Sequence, residues 1–98
     1  MPAHLEERGK DTIAVQGELN PASVAALWED TQRRFRTRLP KYIDLAGVNR
    51  SDSAGVALLV EWLRQAKARR QELQFINIPS QMLTIIRVTD LDDLLPLA

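Results

Sequence analysis

The chain has 98 residues, 45% hydrophobic and 27% charged, with thirteen basic side chains balanced by thirteen acidic ones. That length sets the expectation of one domain spanning 1–98 with one modest core, and the composition argues against wholesale disorder. Zero net charge leaves no electrostatic footprint for nucleic acid, and the absence of cysteine excludes disulfides and thiolate-metal sites.

The first residues, Met1-Pro2-Ala3-His4-Leu5-Glu6-Glu7, lack the basic-then-apolar order of a signal peptide. His4 is the single histidine, alone in a polar terminal stretch, and is read as solvated. No apolar run approaches the roughly 18 residues that span a bilayer, so direct membrane insertion is not expected. A cytoplasmic protein, reaching a membrane only through a partner, is the expectation.

Glu6 to Lys10 carries the weak pattern of an edge strand. Thr12 to Gly17 alternates, with Ile13 and Val15 on one face and Thr12, Ala14 and Gln16 on a wetter one. Gly17 is expected to end it. Asn20-Pro21 reads as an N-cap followed by proline at the first helical position. Val24, Leu27, Trp28, Thr31 and Phe35 then follow helical spacing. Trp28 and Phe35 at that spacing are more often core than a ligand-stacking pair. Arg33, Arg34, Arg36, Arg38 and Lys41 read as a solvated helix end, because cations there offset the dipole. Leu39-Pro40 is the break.

Tyr42 to Leu45 is the next strand, and Asp44 within it needs a partner or a solvated edge. A polar loop is expected from Ala46 to Asp52, then a helix from about Ala54 to Arg69. Its buried stripe is read as Val56, Leu59, Val60, Leu63 and Lys67. Leu58 and Trp62 lie round from that stripe, so they form either an exposed contact surface or a face covered by a neighbouring helix. Leu73 to Ile78 is a further strand stopped by Pro79. Ser80 is placed to cap a short helix carrying Met82, Leu83, Ile85 and Ile86, and Thr89 to Pro96 closes the chain as a turn and an apolar packing segment. The order argues for an α/β layer, a mixed or mostly parallel sheet of about four to five strands with helices packed on it.

The chemistry concentrates at Asp52-Ser53-Ala54-Gly55. A Ser-His-Asp arrangement is not expected, because the single histidine, His4, lies in the terminal stretch, and the chain holds neither a P-loop nor a dinucleotide fingerprint. Asp44 and Asp52 have no spacing that singles out acid-base work. No catalytic residue, metal ligand or cofactor is therefore assigned, and the chain is read as non-enzymatic. Ser53 at a helix start is open to three roles: a cap, a phosphoryl acceptor facing free backbone amides, or a docking point.

Ile43-Asp44-Leu45, Val48 and Asp52-Ser53-Ala54-Gly55 entering an aliphatic helix resemble the STAS domain (sulfate transporter and anti-sigma factor antagonist). Gly17-Glu18-Leu19-Asn20 and Thr89-Asp90-Leu91 extend the resemblance from about residue 10 to 96. Leu27-Trp28-Glu29, Arg50 and Ala57-Leu58-Leu59 make it most similar to the STAS subunits of Mla-type phospholipid ABC transport complexes. The resemblance implies a STAS-like fold and a subunit that binds the ATPase component (MlaF-like) of a membrane complex. Such a subunit supports assembly or activity in maintaining outer-membrane lipid asymmetry. Asp52, Ser53, Gly55, Leu58 and Trp62 are the implied partner-binding residues, and self-association of the isolated chain is a further expectation. In the transporter branch the hydroxyl position is often threonine. Ser53 is the residue typical of phosphorylated anti-sigma factor antagonists, which keeps that function as the alternative.

Overall fold

A computed structural model describes residues 3–91 together with Leu94 and Leu95. Of the closing segment, Asp92, Asp93 and Pro96 lie outside the described residues.

The described residues form β1 (His4–Arg8), β2 (Thr12–Leu19), α1 (Pro21–Arg34), β3 (Tyr42–Ser51), α2 (Ser53–Ala68), β4 (Gln74–Ile76) and α3 (Ser80–Val88). The sheet order is β1-β2-β3-β4. β1 runs antiparallel to β2 across a turn at Gly9, whose φ of 71° is open to glycine without strain. β2, β3 and β4 are parallel. The crossovers β2-α1-β3 and β3-α2-β4 step in the same direction along the sheet, so right-handed connections put both helices on one face. α3 packs beside α2 on that face.

Ile13, Val15 and Leu19 of β2, and Ile43, Leu45 and Val48 of β3, point at the helices and are buried. The opposite face presents Thr12, Gln16, Glu18, Tyr42, Asp44 and Arg50, which are half-buried or exposed, but Ala14, expected on this wetter face, is buried at 1% exposure between its neighbour strands. The mixed, mostly parallel α/β sheet is as expected, and its edge strand sits two residues earlier than the pattern suggested.

Two strands are longer than their patterns implied. Gly17 does not end β2; it bends it, at φ 103°, beside a register shift, and the strand continues to Leu19. The polar loop expected after Leu45 is instead the second half of β3, because Gln16, Gly17, Glu18 and Leu19 supply ladder partners for Gly47, Val48, Arg50 and Ser51. The Gln16 side chain lies across Gly47, and its amide end would have to swing aside for a Cβ there. β4 is shorter than expected, since Asn77 turns out of the strand into the left-handed region at φ 56°.

The helix starts follow local chemistry in α1 and depart from it in α3. Asn20 caps α1 by accepting from the Ser23 amide at 2.9 Å, and the Asn20 amide donates to the Ser23 hydroxyl at 2.9 Å, a reciprocal box with proline at the first position. Ser80 does not cap α3. It is the first helical residue, Pro79 holds the cap position, and no side chain caps the end.

α2 sits between α1 and α3, and its buried face is wider and rotated relative to the expected stripe. Val56, Leu59 and Leu63 are buried as read, but Ala66 faces inward and Lys67 is exposed. Leu58 and Trp62 are 2% and 1% exposed. The reading of them as a contact surface is corrected: α1 covers them, and the Trp62 indole N–H donates to the Thr31 hydroxyl at 3.1 Å. Leu58→Ala and Leu59→Ala are therefore expected to destabilise the protein comparably, by roughly 3 kcal/mol each. Urea melts in which one costs less than a third of the other would contradict this placement.

Candidate functional site

The candidate site is the start of α2 and the ridge that runs from it. Ser51, the last residue of β3, is 2% exposed. Its hydroxyl donates to the Asp52 carbonyl at 2.9 Å, and the Asp52 amide donates to the Leu19 carbonyl at 3.1 Å, which ties the loop to the end of β2. The Asp52 carboxylate is the N-cap and accepts from the Ala54 amide at 2.8 Å. The cap is therefore Asp52. Ser53 occupies the first helical position, is exposed, and forms no side-chain hydrogen bond among the described residues.

Gly55 faces inward. A Cβ on it would collide with the Ser51 hydroxyl and stand 3.0 Å from the Leu19 side chain. The glycine thus lets the first turn of α2 rest directly on Ser51. Gly55→Ala is expected to cost about 1–3 kcal/mol by overpacking. Thermal melts that leave the variant as stable as the native chain would refute this account of the close approach.

From Ser53 the exposed ridge of α2 continues through Ala57 and Glu61, one helical turn apart. An apolar groove borders it on each side. One, about 290 Å³, lies between α2 and α3, lined by Ser53, Val56, Ala57, Val60, Glu61, Ile85, Thr89 and Leu91. The other, about 280 Å³, lies toward α1, lined by Val24, Trp28, Ala57, Leu58 and Glu61. Glu61 pairs with Arg64 at 3.5 Å, a surface contact of little energetic weight. The result is a half-apolar relief with a free hydroxyl at one end, suited to receiving another protein surface.

The structure brings Asp52, Ser53 and Gly55 together and removes Leu58 and Trp62 from the surface, where Trp28, Ala57 and Val60 stand instead. Trp28 and Val60 were read as helix-stripe residues and Ala57 only within the family resemblance, since α2 has apolar residues in almost every direction near its start. A fourth unforeseen residue is Gln81, whose side-chain oxygen accepts from the Ser51 amide at 3.0 Å.

Other polar features are accounted for elsewhere. The Asp44 carboxylate accepts from the Ala46 amide at 2.9 Å and from the Asn77 side chain at 3.1 Å. It stands seven strand positions before Ser51, more than 20 Å at ~3.3 Å per residue, too far to act with Asp52. Arg33 and Arg34 pair with Asp30 in the last turn of α1, and Arg38 pairs with Asp11 at 3.0 Å. The Arg69 guanidinium donates to the Phe35 carbonyl just past that helix. Among the described residues no three His, Asp or Glu side chains converge as a metal site, and no helix is long and apolar enough to cross a membrane.

Comparison with known proteins places this arrangement in context. Residues 3–96 match the family model described as the MlaB STAS domain. The intermembrane phospholipid transport system binding protein MlaB of Escherichia coli K12 is 31% identical over 87 residues, 88% of each chain. The protein of that name from Shigella flexneri matches to the same extent. In fold, the chain is similar to the unphosphorylated anti-sigma factor antagonist SpoIIAA, with a TM-score of 0.73 at 18% identity, covering 98% of this chain and 87% of that one.

Proposed function

The chain belongs to the STAS-domain family, in its MlaB branch, and from that premise we propose that it is a non-enzymatic subunit of a phospholipid-transporting ABC system. In this reading it binds the ATPase subunit on the cytoplasmic side of the inner membrane and supports assembly or activity of the complex that maintains outer-membrane lipid asymmetry. The observation that carries the proposal is the ridge Ser53-Ala57-Glu61 with apolar grooves on both sides. A subunit that works by docking needs such a surface, and apolar area flanked by polar groups is what interface cores bury. Asp52 serves the dock indirectly, by fixing the first turn of α2. Gly55 serves it by letting that turn sit low on Ser51.

The test is capture of the tagged native chain from membrane extracts of its own source. An ABC ATPase and its permease are expected to co-purify; clean capture without either would overturn the reading. Self-association of the isolated chain through the same grooves would then appear as a dimer that the ATPase displaces.

One observation favours a second reading. Because Asp52 does the capping, the Ser53 hydroxyl is exposed at the positive end of the α2 dipole, where a phosphoryl group is well placed. An anti-sigma factor antagonist switched at Ser53 would gain the mass of one phosphate on incubation with kinase-like anti-sigma factors. Ser53→Ala would abolish the gain.

A further inference from the structure

We infer that Gln81 is a positioning residue for the α2 dock, an inference that rests on the docking function proposed above. Three observations carry it. First, α3 has no side chain capping its start, so its first turn is held by the packing of Met82 and not by a local polar cap. Second, among the described residues the one long-range polar tie from that turn is the Gln81 side-chain oxygen accepting from the Ser51 amide at 3.0 Å, across thirty residues of chain. Ser51 is the buried floor of the first turn of α2: its hydroxyl holds the Asp52 carbonyl, and Gly55 is pressed against it. Third, Ile85 follows Gln81 by four residues and lies on the same face of α3. Ile85 lines the groove that also contains Ser53, Val56 and Val60.

One hydrogen bond thus couples both walls of that groove. It fixes the end of β3, on which Ser53 is presented, and it ties that end to the first turn of α3, the helix whose Ile85 faces α2. Nothing else compels Gln81 to this position, since as a residue it is exposed. Without the bond, the Ser51 amide loses its partner in a nearly water-free position and the start of α3 loses its tie to β3. The domain keeps its core, because Met82 and Ile86 still pack inward, but the groove loses its set width.

The experiment compares Gln81→Ala and Gln81→Glu with the native chain in two measurements. Amide hydrogen exchange on the isolated protein reads the bond itself. Gln81→Ala is expected to speed exchange at Ser51 about tenfold, the scale of one lost buried hydrogen bond, while Gln81→Glu keeps an acceptor oxygen and leaves exchange near native. Affinity for the purified ATPase subunit reads the consequence. Gln81→Ala is expected to weaken it about tenfold while still melting cooperatively, roughly 5–10 °C below native, and Gln81→Glu is expected to bind near native. Unchanged exchange at Ser51 would overturn the inference, as would faster exchange with undiminished affinity. Failure of the parent reading shows differently: the native chain itself captures no ATPase, which removes the dock and the positioning role together.

Discussion

Trp62→Ala is expected to be among the most damaging single changes in the protein, costing about 3–5 kcal/mol of stability. Trp62 is 1% exposed and fills the seam between α1 and α2. Its indole N–H donates to the buried Thr31 hydroxyl at 3.1 Å, and that hydroxyl donates onward to the Leu27 carbonyl at 2.8 Å. Truncation removes the largest buried side chain and strips Thr31 of a donor. Domains of this size hold only about 5–15 kcal/mol in total, so the variant is expected to melt on the order of 15–30 °C lower.

Two milder variants separate volume from polarity. Trp62→Phe keeps most of the ring and loses the hydrogen bond, and Thr31→Val leaves the indole N–H without an acceptor. Each is expected to cost about 1–3 kcal/mol. The same series discriminates the two places Trp62 had in the sequence reading. A tryptophan on a docking face would melt almost normally as alanine and lose partner affinity. A melt shifted by less than ~1 kcal/mol would put Trp62 back on the surface.

How much of this was legible from the sequence depended on whether the determining signal was local. The start of α1 was readable because Asn20 and Pro21 act within one turn. The alternation of β2 was readable because Ile13 and Val15 are consecutive inward positions. The second half of β3 was not, because its inward residues run Ile43, Leu45, Val48 and Ser51. A bulge breaks the two-residue period, and the outward positions Ala46, Gly47, Asn49 and Arg50 are small or polar, which imitates a loop. The rotation of α2 was hidden for the opposite reason. From Gly55 to Leu63 only Glu61 is polar, so no period fixes which side faces inward. The central position between two helices decides it, and that is a tertiary fact. At the site, the Asp52-Ser53-Gly55 cluster was visible because it is contiguous. Division of its labour into cap, free hydroxyl and close-packing glycine needed the backbone, and Gln81 needed a contact across thirty residues.

Ser53→Glu is the change expected to separate docking from folding most sharply. Ser53 is exposed at the first position of α2, with its side chain free of the Asp52 cap. A carboxylate there is favoured by the helix dipole, so stability is expected to stay within about 0.5 kcal/mol of native. Binding responds in the opposite sense. If the ATPase covers Ser53, the new charge is desolvated without a partner beside Asp52, a penalty of about 2–5 kcal/mol that lowers affinity by roughly 30-fold or more. Ser53→Ala removes the hydroxyl without adding charge and is expected to cost under tenfold. The decisive pattern is an unchanged melt with lost binding for glutamate and near-native binding for alanine, measured by calorimetry against the purified ATPase subunit. If glutamate binds as tightly as serine while the native chain still captures the ATPase, the partner sits elsewhere. The exposed sheet face bearing Gln16, Glu18 and Arg50 would then be the surface to mutate, because among the described faces it is the one that no helix covers.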